Sequence, residues 1–124
     1  MGFTNTEAIS ILTNVMKNGY LGLLTAANDN GNFSEVSVSG YKRCQIANVI
    51  VDKDNPRMLK NTDLILMFEA RSAGSASYFG FFDNATAGSG KLRFWGEITG
   101  GLSMSDGTVP VIRVGELKLE VLSS

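Results

Sequence analysis

The first part of the chain carries apolar residues with the periodicity of a helix. Five of them share one helix face: Ala8, Ile11, Leu12, Val15 and Met16. Thr4 and Glu7 stand at the spacing of a capping box, in which each side chain bonds the backbone amide of the other. Gly19 comes next and can take the left-handed conformation that ends many helices. The pattern therefore predicts an N-terminal helix over residues 4–18.

Beyond Gly19 the period changes to the alternation of β-strands, interrupted by turn-forming residues. Asn28–Gly31 is one turn. Asp52–Pro56 is predicted to be a polar loop, because Pro56 lacks a backbone donor and so argues against a central strand. The runs predicted as strands are Tyr20–Ala26, Phe33–Ser39, Tyr41–Val51, Thr62–Glu69, Ser77–Asp83, Lys91–Ile98, Thr108–Val114 and Glu116–Val121.

Short strands with turns every ~8–12 residues are typical of sandwiches and barrels. The helical crossovers that parallel strands require are missing between them. We therefore expect a mainly β fold, an antiparallel β-sandwich or jelly-roll-like barrel of about 8–9 strands with one N-terminal α-helix. Residues 1–124 are predicted to form a single domain, with the helix at 4–18 and the β-sandwich at 20–121.

Three predicted strands are apolar on both faces: Tyr20–Leu24, Leu64–Phe68 and Tyr78–Phe82. One sandwich layer buries a single face of each strand, so the second face needs another cover. Burying one large apolar side chain is worth about 1.5–3 kcal/mol, which makes several exposed ones costly. The cover is either the N-terminal helix or another subunit, and the sequence leaves both open.

Trp95 falls on the polar side of its predicted strand, between Arg93 and Glu97, while Leu92, Phe94 and Ile98 point the other way. An outward Trp flanked by charges is typical of an interface anchor. The alternative is that a bulge at the neighbouring Gly96 turns it inward. The residues predicted to lie at an interface are Trp95, Tyr78, Phe82, Tyr20 and Arg93.

The composition argues against catalysis and against metal or cofactor binding. The 124 residues include no His and one Cys, so the Ser–His and Cys–His nucleophile pairs cannot form. The lone Cys44 is predicted to be a small buried hydrophobe. Ala87–Lys91 departs from a phosphate loop because Leu92 stands where Ser or Thr is required. We expect no catalytic residue, no metal site and no cofactor.

The charge and hydropathy patterns also argue against nucleic acid and membranes as partners. The net charge is −1 and basic residues form no stripe with interleaved aromatics. The sequence shows neither an apolar run of about 18 residues nor the features of a signal peptide. We therefore expect synthesis in a cytoplasm.

Several segments resemble, in order, a family of small bacteriophage structural proteins of tail-fibre-like or head-decoration-like type. The most specific is the hairpin Tyr78–Thr86 followed by Leu92–Gly96. The other matching segments are Phe3–Asn5, Tyr20–Thr25, Gly40–Arg43, Asp106–Ile112 and Val114–Leu119. The resemblance implies a component of the virion, and it brings no catalytic residues.

The leading hypothesis is a non-enzymatic virion structural protein, a capsid decoration or auxiliary protein that assembles as a homo-oligomer, with a trimer as the working expectation. Its partners would be copies of itself and the major capsid protein or tail proteins of the particle. The alternative is a tail-fibre or tail-associated module that binds a receptor or glycan through Trp95, Tyr78 or Tyr41. An enzyme is the third hypothesis, and no cluster of residues in the sequence supports it.

Overall fold

The computed structural model describes residues 3–121, and its first element is the helix α1 (Asn5–Asn18). Thr4 is the N-cap, and its hydroxyl oxygen accepts a hydrogen bond from the Glu7 amide at 3.2 Å. The predicted helix is therefore confirmed. Gly19 is extended rather than left-handed, because the chain enters the first strand directly at Tyr20. A side chain at Gly19 would collide with the Val15 carbonyl group, so a glycine fits here for reasons of space.

Nine strands follow within the described range, in three antiparallel sheets. The strands are β1 (Tyr20–Ala27), β2 (Phe33–Glu35), β3 (Val49–Asp52), β4 (Asn55–Asn61), β5 (Ile65–Leu66), β6 (Gly74–Phe82), β7 (Leu92–Met104), β8 (Val111–Ile112) and β9 (Lys118–Glu120). The four-stranded sheet has the order β2-β1-β6-β7, the three-stranded sheet the order β3-β4-β9, and β5 pairs with β8 in a two-stranded ribbon. The predicted mainly β, antiparallel class is confirmed.

One large core joins the three sheets. The helix α1 packs chiefly on β4 and also reaches β1, β3 and β6, so it bridges the three-stranded and four-stranded sheets. The largest side chains that are almost fully enclosed in this core are Leu12, Met16, Leu21, Phe81 and Leu119. At the last strand, Leu117 and Leu119 are buried and Lys118 between them is exposed.

Five predicted strands are much shorter than expected; three of them, Phe33–Ser39, Thr108–Val114 and Glu116–Val121, are reduced to β2, β8 and β9. Of Tyr41–Val51, only the end lies in β3, and Cys44 forms an isolated bridge with Leu21. Thr62–Glu69 contributes only the two residues of β5. Its partner strand β8 is preceded by Pro110, which has no amide hydrogen to donate, so the ladder stops there.

The expectation that Pro56 lies in a loop is wrong. Pro56 is the second residue of β4, the central strand of its sheet. The register between β3 and β4 shifts at this point, and the pairing of β4 with β9 covers only Met58–Lys60. Pro56 therefore occupies a position where no ladder hydrogen bond is required.

Strand β7 carries two irregularities that decide which way its side chains point. Phe94 lies opposite Phe81 but Leu92 lies opposite Phe82, so Arg93 is an extra residue. Further along, Glu97 pairs with Tyr78 and Leu102 with Ala76, which leaves residues 98–101 as a wide bulge. Gly100 and Gly101 adopt φ values of 78° and 71° there, which favour glycine.

Candidate functional site

The four-stranded sheet has a second apolar face, which is buried by the chain itself. Leu24, Phe82 and Leu92 form a small cluster on this face, separate from the main core. Phe33, Tyr78 and Trp95 are among the half-buried residues around it. The extra residue Arg93 explains why Leu92 joins this cluster. The expectation that Leu92 points the same way as Phe94 is thus wrong.

The cover of this second face is the side chain of Arg43. Its guanidinium carbon lies 3.6 Å from the centre of the Phe82 ring, which is the geometry of a cation–π contact. Two of its nitrogens donate to Glu35, at 2.6 and 3.0 Å. It also donates to the carbonyl oxygens of Asn84 and Ser89 in the turn after β6, at 2.6 and 2.8 Å. Neither of the two predicted covers, the helix or another subunit, is therefore needed here.

Glu35 is the acceptor at the centre of this polar cluster. Its side chain is 7% exposed and that of Arg43 is 0% exposed, so the ion pair is buried. Tyr41 and the Gly88 amide also donate to it. Burial alone would raise the pKa of Glu35, but the hydrogen bonds from Arg43, Tyr41 and Gly88 and the charge of Arg43 lower it below its ordinary value. Burial and the neighbouring Glu35 raise the pKa of Tyr41.

We call the second apolar face of the four-stranded sheet, which Arg43 covers, the sealed face. Trp95 lies at the rim of this face. It is half-buried, lies edge-on to Tyr78 with ring centres 5.6 Å apart, and donates its indole N–H to Asp29 at 3.0 Å. Trp95 lies on the sheet face opposite the main core, which is the face that the alternation along its strand predicts. The alternative, a bulge at Gly96 that turns Trp95 inward, is not found, since Gly96 pairs with Phe79 and the register shifts at Arg93 and at residues 98–101.

Four of the five predicted interface residues lie close together, because Phe82, Tyr78 and Trp95 share the cluster on the second face and Tyr20 lies opposite Phe82 in the register of β1 and β6. Phe82 is 0% exposed and packs inside the chain, so it leaves the set of surface candidates. Tyr78 and Trp95 lie together on the sealed face, and Tyr20 is half-buried at the start of β1. Arg93 is exposed and donates to Asn14 of α1 at 3.0 Å.

A surface that was not among the predicted residues lies on the outer side of the ribbon. We call it the aliphatic patch, and it comprises Leu66 and Val111 of the ribbon together with the exposed residues that flank the two strands in sequence, Leu64, Val109 and Val114. Leu66 lies directly opposite Val111, and their exposed fractions are 62% and 46%. The inward partners Ile65 and Ile112 contact the main core. The sequence signal for this surface is the run Leu64–Phe68, which is apolar on both faces of the predicted strand.

An apolar groove of about 360 Å³ adjoins the aliphatic patch. It is lined by residues in and beside the wide bulge of β7, by Pro110–Ile112, and by Leu21, Leu23 and Phe79. Val111 belongs to both the groove and the patch, so the two form one continuous apolar region.

The described residues offer little chemistry for catalysis. Over residues 3–121, no three or more Asp, Glu or Cys side chains are grouped so that they could hold a metal ion. Burial raises the pKa of the Cys44 thiol to about 11, so the thiol stays protonated near neutral pH. In the same part of the chain, α1 is too short and too polar to cross a membrane.

Comparison with known proteins identifies the family. A family model described as Podophage GP4 fiber I protein gp80 matches residues 10–120. That range runs from α1 to the end of β9 and includes both the sealed face and the aliphatic patch. No curated protein matches the sequence. The chain therefore belongs to the family of the podophage GP4 fiber I protein gp80 and is a bacteriophage virion structural protein of tail-fibre-like type.

Proposed function

We propose that this chain is a non-enzymatic structural subunit of a phage fibre, joined to other virion protein chains through the aliphatic patch. The observation that carries the proposal is the β5–β8 ribbon with the residues that flank it, where Leu64, Leu66 and Val114 are each more than half exposed. The match to a fibre protein family indicates the kind of particle component in which such a face would be used.

The energetics of apolar burial support a docking role for the patch. A large aliphatic side chain contributes about 1.5–3 kcal/mol when it is fully buried. Leu64, Leu66 and Val111 contribute little of this in the isolated chain, because each keeps roughly half of its surface in water. Contiguous apolar surface of this kind commonly marks a protein interface. The adjoining groove would accept a side chain of the partner.

A fibre is favoured over a capsid decoration protein by the description of the matching family. In both assemblies the same chain would be repeated in symmetric copies, so one patch could serve every copy. The identity of the neighbouring chain, a copy of this one or another virion protein, is an outcome of the experiment below.

The test is incorporation of Leu66→Asp into virions. The variant is supplied in trans to a phage from which the gene for this chain has been deleted, and the phage is then propagated. We expect Leu66→Asp to be lost from purified particles, because a buried, unpaired carboxylate would oppose docking. Ile50→Asp is the matched control, since Ile50 is 52% exposed on β3, away from the ribbon. We expect it to be incorporated like the wild type.

Circular dichroism of both purified variants verifies that they fold. Incorporation of Leu66→Asp at the wild-type level would refute the proposed role of the patch. Immunogold electron microscopy of wild-type particles tests the location. Label on fibres is expected, whereas label spread over the capsid shell would contradict the fibre assignment.

A further inference from the structure

The strand β7 presents a long free edge. It spans Leu92–Met104, and among the described residues its backbone pairs only with β6. The opposite edge of the same sheet is β2, which has three residues. A row of unpaired backbone donors and acceptors is a template for another strand, so natural proteins shield such edges or use them for assembly.

We propose that two copies of this chain pair through β7, edge to edge and antiparallel, about a two-fold axis at Trp95. This deepens the proposed function by naming a second copy as one partner, and it rests on the assignment of the chain to an assembly. The pairing would merge the two four-stranded sheets into one continuous sheet. The closed symmetry would use up the free edge of both copies.

The charges along β7 support this register. Arg93 and Glu97 are exposed and stand two residues before and two residues after Trp95. In an antiparallel pair centred on Trp95, Arg93 of each copy lies opposite Glu97 of the other. Directly opposite residues of unlike charge stabilise antiparallel strands, and like charges destabilise them. The same two-fold axis brings the two Trp95 side chains together as a cross-strand aromatic pair.

Charges on an edge strand can also prevent pairing with another strand. The signs of the charges distinguish an edge that repels a second copy from an edge that attracts one. A protective edge commonly carries Lys residues, whose like charges repel a second copy. Here the two signs are placed symmetrically, so a second copy is attracted. The bulge at Arg93 and the wide bulge at residues 98–101 bound the regular edge, which limits pairing to the segment around Trp95.

The present contacts of these two side chains do not oppose the pairing. Arg93 donates to the neutral side chain of Asn14, and that contact is exposed. Over residues 3–121, the ion pairs are Arg43–Glu35, Lys60–Asp52 and Arg71–Glu69, so Arg93 and Glu97 are in none of them. Both charges are therefore available to a second copy.

Sedimentation equilibrium of the purified chain over a concentration series tests this proposal. We expect a monomer–dimer equilibrium that weakens as the salt concentration rises. Arg93→Glu and Glu97→Arg, made singly, should each raise the dimer dissociation constant by about tenfold or more, because each places like charges opposite one another at two symmetric positions. The double variant restores unlike pairs and should return the constant towards the wild-type value.

Two matched variants sharpen the result. Arg71→Glu reverses an exposed charge outside the segment around Trp95 and should leave the dimer unchanged. Lys91→Glu tests the neighbouring register, in which Lys91 rather than Arg93 would face Glu97. We expect it to have little effect, and a loss of dimer with Lys91→Glu alone would overturn the register proposed here.

A wild-type protein that stays monomeric at every concentration would overturn the pairing, as would a double variant that remains as weak as the single ones. Failure of this inference is separable from failure of the proposed function. A monomeric chain whose Leu66→Asp variant is excluded from virions refutes only the β7 contact. A dimeric chain whose Leu66→Asp variant is incorporated refutes only the role of the aliphatic patch.

Discussion

The second face of the four-stranded sheet and the outer face of the ribbon differ in one respect, which is whether the chain covers them. Both derive from strands that are apolar on both sides. The sheet face is closed by Arg43 and the turn after β6, and Phe82 beneath them is fully buried. The ribbon face keeps Leu64 and Leu66 more than half exposed. Two-sided apolar strands therefore indicate a missing cover only where no distant side chain provides one.

The largest expected difference between the two faces comes from deleting one side chain on each. Phe82→Ala should lower the free energy of unfolding by about 3–5 kcal/mol, because it removes a fully buried ring and leaves a cavity. Leu66→Ala should change it by less than about 0.5 kcal/mol, since most of that side chain is in water. Urea denaturation of both variants measures this. Equal losses of unfolding free energy in the two variants would show that the chain covers both faces to the same extent.

The next effect concerns the cover itself. Arg43→Met keeps the apolar bulk of the side chain but leaves Glu35 buried without its cationic partner, which should cost about 3–5 kcal/mol. The control is Arg71→Met in the exposed Arg71–Glu69 pair, with an expected loss below about 1 kcal/mol. Urea denaturation again provides the measurement.

A double variant separates the pair from the packing. Adding Glu35→Gln to Arg43→Met removes the uncompensated carboxylate, so part of the lost stability should return. If the double variant is as unstable as the sum of the two single variants, the ion pair is not what holds the cover in place.

A smaller effect is the dependence of stability on acid. The pKa of Glu35 is lower in the folded chain than its ordinary value of 4.5. Glu35 therefore stabilises the fold above that value, and its contribution is lost as the pH falls through the folded-state pKa. Glu35→Gln should be less stable than the wild type by about 1.5–3 kcal/mol at pH 7, because charged hydrogen bonds are stronger than neutral ones.

Unfolding at a series of pH values compares the two curves. The stability of Glu35→Gln should fall less steeply below about pH 4.5 than that of the wild type, so the two curves approach each other in acid. Some slope should remain in the variant, because the backbone amide of Asp54 and the nearby Lys60 lower the pKa of Asp52 as well. Parallel curves would show that Glu35 is not a charged acceptor in the folded protein.

Local patterns in the sequence predicted the fold class and the helix well. The Thr4–Glu7 spacing located the start of α1, because capping depends on adjacent residues alone. The hairpin of β6 and β7 was predicted for the same reason, since both strands flank one turn. The internal shift at Arg93 was missed, because a bulge depends on which residues of the partner strand lie opposite.

The two faces were harder to predict because their cover comes from distant residues. Arg43 reaches the carbonyl oxygens of Asn84 and Ser89, and nothing near Arg43 in the sequence indicates this. Arg43 follows Lys42, and adjacent basic residues are ordinarily solvated, yet Arg43 is buried. Conversely, Leu64 and Leu66 are exposed because, among the described residues, no distant side chain covers the ribbon as Arg43 covers the sheet.

Amide hydrogen exchange, measured on the isolated chain and on the same chain within purified virions, tests most directly whether one face is closed and the other is a docking surface. The account predicts that the amides of Leu64, Leu66 and Val111 become strongly protected in the particle, while those of Glu35 and Phe82 are equally protected in both states. Unchanged exchange at the ribbon, together with new protection around Glu35 and Phe82, would contradict it.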